Sequence, residues 1–336
     1  FELWPTGAQE LATDPRAQAQ ACLTPIPGTT RIVTAGQPSR LVERDLATGA
    51  IVREIPTGPG FAILSFSLSP DRTEALSLDV NGQANRWRLP GLERVASLET
   101  KPGAASHAIY NPSGERIAIG RWDGHVAVFD TSTGTQVHDW KVHAGAVSRL
   151  AYAPDGRRLY SASRDQTVWM LDAETGERLH KFKGHGAGVI GFGLDGPGER
   201  LAVGLESGPI WIWNLATKTR EAVLIGHEKI TTWTAFHPNG AYLFSASYDG
   251  TVRLWHIESS TAVATVRGHK DGMGPLHFDA ETGHLHAGAL RSGEVYTYDF
   301  SPAWWPREGV MDRIEQMLQL RLVDVSAERI PAHRLR

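Results

Sequence analysis

Short apolar runs alternate with polar turn clusters along most of the chain, and one stretch shows the pattern whole. Residues 226–267 read GHEKITTWTAFHPNGAYLFSASYDGTVRLWHIESSTAVATVR. A first apolar run ends at Phe236-His237-Pro238-Asn239-Gly240, a second at Ser245-Ala246-Ser247-Tyr248-Asp249-Gly250, and a third at Leu254-Trp255-His256. Four such runs separated by Asn-Gly, Asp-Gly and Ser/Thr turns predict a four-stranded antiparallel meander. Asn-Gly and Asp-Gly suit hairpins because the tight turn needs positive φ, which Gly, Asn and Asp tolerate.

One meander cannot bury both of its faces, so the unit is expected to recur, and it does. Loop histidines fall at His143, His185, His227 and His269, each 42 residues after the last. The turn after the first strand falls at Pro70, Pro112, Pro154, Gly196, Pro238 and Ala280, with the same step. So does the end of the third strand, at Trp87, Phe129, Leu171, Trp213 and Trp255. A period of about 40–45 residues with four strands per repeat is the signature of a propeller blade. In these landmarks the chain resembles the WD-repeat (WD40) β-propeller family over nearly its whole length. Residues 8–300 hold seven repeats of 42 to within one residue.

The expected fold is therefore all-β: a seven-bladed β-propeller of four-stranded antiparallel blades. Residues 269–299 supply three strands before Ser301-Pro302 breaks the pattern, and residues 8–13 supply a spare one. The N-terminal strand is expected to complete the last blade and close the ring, which removes an open edge. Residues 1–7 form a partial strand of uncertain role. Phe1–Trp4 resembles the end of a third strand, either outside the ring or the tail of a further blade. Residues 301–336 leave the repeat. Val310, Ile314, Met317 and Leu318 share one helical face after Pro306, which predicts a short C-terminal helical tail.

Composition narrows the function classes. Hydrophobic residues make up 41% and charged residues 21%, as in a soluble protein with a large core. A net charge of −3 offers no general field for nucleic acid or an anionic membrane. The single cysteine, Cys22, excludes an internal disulfide and any multi-cysteine metal site. No run of 18 uncharged apolar residues exists to span a bilayer. Arg far outnumbers Lys, the usage of a GC-rich bacterial genome. The sequence does not begin with Met, so the expected cytoplasmic location depends on what precedes Phe1, a leader or a longer chain.

Candidate chemistry is sparse. Gly186-Ala187-Gly188-Val189-Ile190-Gly191 is a literal GxGxxG, but a dinucleotide loop needs a helix after it, and here the slot calls for a strand. Among fourteen histidines, His284 and His286 alternate on one strand, with His269 and His277 in the same blade. No carboxylate or third His stands at a persuasive metal-ligand spacing, so neither a metal nor another cofactor is expected. There is no Gly-x-Ser-x-Gly elbow, P-loop or His-Glu-x-x-His pattern, and no catalytic residue is assigned.

The family resemblance implies two sets of residues. One is a buried structural quartet, His227, Ser245, Asp249 and Trp255, in which imidazole, hydroxyl, carboxylate and indole N–H form a relay. The other lines the loop face, at the position before the turn Asp: Val80, Trp122, Arg164, Glu206, Tyr248 and Leu290. Loop positions three and five after the His slot are mostly small, among them Ser106, Ser148, Ile190, Thr232 and Gly274. Trp, Tyr and Arg are enriched at binding hot spots, so Trp122, Tyr248, Arg164 and Glu206 are the partner-binding candidates. The implied function is a non-catalytic scaffold or sensor module in signalling, binding a protein or peptide on its loop face. An upstream effector domain or other subunits are further expected partners. The alternatives are an exported propeller with a metal, redox or hydrolytic site at the channel mouth, and an architectural subunit of a large assembly.

Overall fold

A computed structural model of the chain describes residues 2–3, 20–36, 40–46, 50–57, 63–79, 81–98, 100–101, 105–267, 269, 271–290 and 295–300. Their regular structure is all strand, in seven sheets of consecutive antiparallel neighbours, one of which carries a further, parallel strand. Blade 1 spans residues 20–56, blade 2 63–98, blade 3 105–141, blade 4 147–182, blade 5 189–224, blade 6 231–266 and blade 7 273–299. Blades 1–6 have four strands each in chain order, as the meander pattern requires. Blade 7 shows three, Met273–Asp279, His284–Ala289 and Val295–Asp299. The strand expected from residues 8–13 and the helix expected after Pro306 lie outside the described residues.

The blades stand around a central channel, and each first strand touches the first strands of both neighbours. The circuit closes where Met273–Asp279 of blade 7 meets Gln20–Pro25 of blade 1. Buried apolar residues form seven wedges, one in each seam between neighbouring blades. Blades 6 and 7 share the largest, with Phe244, Leu254, Met273, Leu285 and Phe300. At the closure the described part of the wedge is Leu23, Ile32 and Val295. Burial within a blade follows from this stacking. The second strand is covered on both sides, and Tyr242–Ser247 is buried at every position. That is why these strands read as unbroken runs of apolar and small residues. Outer strands such as Ile51–Pro56 are mostly exposed or half-buried.

Turn chemistry repeats with the same step. Gly114, Gly156, Gly198 and Gly240 close the first hairpin with φ between 71° and 78°. Blade 2 places Arg72 there at φ 58°. The second hairpin holds Gly208 at φ 108°, where a Cβ would lie 2.3 Å from the His227 carbonyl oxygen. Only glycine lets the turn pass so close to the neighbouring loop.

Glu2–Leu3, in the segment whose role the sequence leaves open, pairs in parallel with Thr265–Val266, as a fifth strand outside blade 6.

Two substitutions are expected to move stability in opposite directions in urea unfolding. Gly208→Ala combines a forbidden φ with a backbone clash and should cost at least about 2 kcal/mol. Arg72→Gly relieves a left-handed residue on the surface and should be neutral or stabilise by up to about 1 kcal/mol.

Candidate functional site

Every first strand carries a bulge two residues into its pairing with the second strand. The register skips between Ile63 and Ser65, Ala105 and His107, Val147 and Arg149, Val189 and Gly191, and Thr231 and Trp233. A bulged residue is left out of the ladder and re-aimed. Here the skipped residues Leu64, Ser106, Ser148, Ile190 and Thr232 all line one cavity of about 370 Å3 at the channel mouth. The small positions five after the His slot are thus the inner collar of this mouth.

The residue before the turn Asp forms the outer collar. Its backbone N–H donates to the carbonyl of the loop residue three after the His slot: Arg164 to Ala146, Glu206 to Gly188, and Tyr248 to Ile230, at 2.9–3.0 Å. This tether fixes where each side chain starts. Trp122 instead donates its indole N–H to the Ala105 carbonyl. Trp122 and Tyr248 remain 45% and 42% exposed, unusual for such large side chains. Trp122, Arg164 and Tyr248 line the cavity, and Leu290 joins them; Val80 lies outside the described residues. Glu206 is not in the wall but reaches Arg164 at 3.7 Å, while the Arg164 guanidinium stands 5.9 Å from the Trp122 ring centre. The structure therefore brings Trp122, Arg164 and Glu206 into one chain of contacts, with Tyr248 across the mouth. Glycines make the room. A Cβ on Gly188 would lie 2.6 Å from a Glu206 carboxylate oxygen, and one on Gly272 2.7 Å from the Tyr248 ring.

Deeper in the cavity are residues that the sequence reading did not single out. Arg149 lies with its guanidinium 4.3 Å from the Trp233 ring centre, and both line the wall. They belong to blades 4 and 6, so Arg149 reaches past blade 5, where the matching position is Gly191. The hydroxyl of Ser148 is buried and has no hydrogen-bond partner among the described residues. The signal was present as a further set in step, Ser65, His107, Arg149, Gly191 and Trp233, whose varied side chains hide the common position.

Behind the mouth lie the relays. In blade 6, Trp255 donates its indole N–H to Ser245 Oγ at 2.7 Å, and Ser245 Oγ lies 2.7 Å from His227 Nε2. His227 Nδ1 lies 2.9 Å from Asp249 Oδ2. With Nδ1 carrying the proton, every donor in this chain faces an acceptor. Blade 4 repeats the His143, Ser161 and Asp165 contacts. Its third strand has Leu171 in the indole slot, and Trp169 packs half-buried against the same wedge, beneath Arg178 and Lys181. Blade 5 lacks the hydroxyl, so the Trp213 indole N–H donates straight to His185 Nε2 at 3.2 Å.

These two complete His–Ser–Asp sets coincide with the matches to a known family. The family described as WD domain, G-beta repeat matches residues 134–172 and 218–256. Those windows take in the first three strands of blades 4 and 6, set here in a ring of seven blades. The chain is a seven-bladed β-propeller in which two stretches match WD repeats. A search of curated proteins found no significant match.

In this ring the GxGxxG stretch runs from a loop into the strand Val189–Leu194, with no helix to seat a pyrophosphate. The blade 7 histidines are spread out. His277 and His286 stack across paired strands at 6.4 Å, and His284 stands 6.3 Å from His286. His269 is tied elsewhere, to the Gly250 carbonyl and the Tyr298 hydroxyl. Among the described residues no three His, Cys, Asp or Glu side chains converge as metal ligands. No helix there is long and apolar enough to cross a membrane.

Burial sets the titration of these groups. It lowers the pKa of His227 despite the opposing pull of Asp249, and it lowers His185 and His277. Burial, with His277 and His284 adding to it, pushes His286 down to about 4. Burial opposes ionisation of Asp249 and Asp165, but hydrogen bonds from the histidine and threonine beside each outweigh it and hold both carboxylates well below the ordinary range.

Both sets of shifts make the fold acid-sensitive. Below about pH 6.5 the unfolded chain binds protons at histidines that stay neutral when folded, so stability should begin to fall there. Below about pH 4 the unfolded carboxylates bind protons that Asp165 and Asp249 refuse, and the fall should steepen. Urea midpoints between pH 8 and pH 3 should show this two-stage decline, and Asp249→Asn should flatten the lower stage. A midpoint unchanged from pH 7 to pH 5 would contradict the histidine assignment.

Proposed function

We propose that this propeller is a non-catalytic interaction module that receives an extended, acidic segment of a protein partner at the channel mouth. The observation that carries the reading is the charge of the cavity wall. Among the described residues that line it, the only charged ones are Arg149 and Arg164, and none is a carboxylate. Exposed Trp122 and Tyr248 offer flat, rigid contact area of the kind found at hot spots. Arg149, held against the Trp233 indole, and the unpartnered Ser148 hydroxyl would take a carboxylate inserted into the bore. Arg164 would act at the rim. Its ion pair with Glu206 is solvent-exposed and worth about 0–1 kcal/mol, so it can yield to a better-placed carboxylate. Glu206 would then steer a basic residue flanking the anchor.

Display of random extended peptides on the immobilised propeller tests this. Selected peptides should be enriched in Asp and Glu, and their binding should weaken as salt rises. Trp122→Ala combined with Tyr248→Ala should weaken them at least about tenfold, and Arg164→Glu should act selectively on the acidic ones. Selected peptides that bind the double variant as tightly as the parent would place recognition on the blade edges instead.

A further inference from the structure

Several cations at the outer wall of blades 1–3 are neutralised by nearby carboxylates. Arg53 lies against Glu43, Arg40 against Glu54, and both Lys101 and Arg121 against Asp139. Blade 4 differs. Two cations from its outer strand stand over one indole, the Arg178 guanidinium 5.0 Å and Lys181 Nζ 5.1 Å from the Trp169 ring centre. Arg178 is pinned there, because its Nη2 donates to the Lys141 and Val142 carbonyls at 2.8 and 2.9 Å. Among the described residues neither cation meets a carboxylate.

Blade 5 shows how little is needed to cover such an indole. Trp211 holds the place of Trp169, and a single cation, Arg220, lies 4.5 Å from its ring centre. The residue paired with this position on the outer strand differs between blades: Lys181 opposite Trp169, Val223 opposite Trp211, and Asp139 opposite Ala127 in blade 3. Lys181 is therefore surplus to packing. It sets a second positive charge beside Arg178 with no described carboxylate to offset the repulsion. Across the seam, His138 and Trp140 of blade 3 stack at 5.0 Å, and Trp140 packs on the same wedge as Trp169. Asp139 falls between them in sequence and so points to the opposite face, toward Arg121 and Lys101.

We propose that Arg178 and Lys181 form a binding site for a phosphoryl group carried by a protein partner, on the outer wall of blade 4 and separate from the channel mouth. A carboxylate would offset one of the two cations. A phosphoryl group carries close to two charges and three acceptor oxygens, which answers both. The indole beneath and the two carbonyls hold the cations in place, so less side-chain freedom is lost on binding. Both cations are exposed, on a strand at the edge of its sheet. Such an open patch cannot surround a free ion, which favours an anion that arrives on a chain. Leu179, between the cations in sequence and 41% exposed, and the bare strand edge offer that chain further contacts.

Indole N–H resonances of the isotope-labelled protein test this, with the Trp169 signal assigned from a Trp169→Phe variant. The probe is a short Gly/Ser peptide bearing one phosphoserine, compared with the same peptide bearing Ser or Asp. The phosphopeptide should shift the Trp169 signal saturably at constant ionic strength, and the Asp peptide should bind at least about tenfold more weakly. Lys181→Val, which installs the residue of blade 5 at an exposed site, should weaken the phosphopeptide at least about tenfold. Unshifted resonances elsewhere in that variant report that the ring is folded. The Trp122 and Trp233 signals, which report on the mouth, should not move with the phosphopeptide. A Trp169 signal that does not respond, or full affinity in Lys181→Val, would overturn the site. Movement at Trp122 and Trp233 alone would place the phosphoryl group in the mouth and overturn it equally. Tighter binding of a short oligothymidylate at Trp169 would overturn the protein partner.

Discussion

A single blade of this chain has two apolar faces and no means of covering either. That constraint shapes the rest of the structure. Each face is buried only by the next blade, so the core is divided into seven wedges, and the wedges persist only while the ring is closed. Stability is shared between neighbours, as in other repeat arrays. Blades with incomplete relays are tolerated for this reason. Blade 5, with Val203 where a hydroxyl would stand, is buried as tightly as blade 6, with Val203 and Leu201 fully inside.

The same constraint produces the candidate site. Seven first strands packed around a channel leave a mouth, and in blades 2–6 the bulge near the start of the strand turns one residue into it. The ring is rigid because its wedges are close-packed, so the mouth is preformed and a ligand need not order it. Variation between repeats then costs little in stability and can be used for recognition. Trp122, Arg164, Glu206 and Tyr248 occupy equivalent positions with four different chemistries, and Arg164, Glu206 and Tyr248 start from the same backbone tether.

Much of this was legible in the sequence because the propeller repeats its turn geometry strictly. His143, His185, His227 and His269, the turns and the bulky apolar third-strand ends mark the repeat, since each recurs with the same step of 42 residues. The blade count and the outer collar followed from them. Arg149 and Trp233 were not legible, because the channel wall accepts any side chain that fits and shows no common residue type. The place of Glu2–Leu3 was also hidden. Parallel pairing of so short a segment leaves no periodic pattern, and the only trace lies in its acceptor, the uncharged run Thr261–Val266. In blade 4 the third strand carries Leu171 in the indole slot, and Trp169, two residues earlier and so on the same strand face, packs half-buried against the same wedge.

The central claim is that recognition takes place in the channel mouth through an acidic anchor. A structure of the propeller bound to one of its selected peptides tests this most directly. The expected result is a peptide carboxylate against the Arg149 guanidinium and Ser148 hydroxyl, with the peptide backbone crossing Trp122 and Tyr248. A peptide seated on the outer strands with the mouth empty, or one entering the mouth by a basic or apolar side chain, would contradict it.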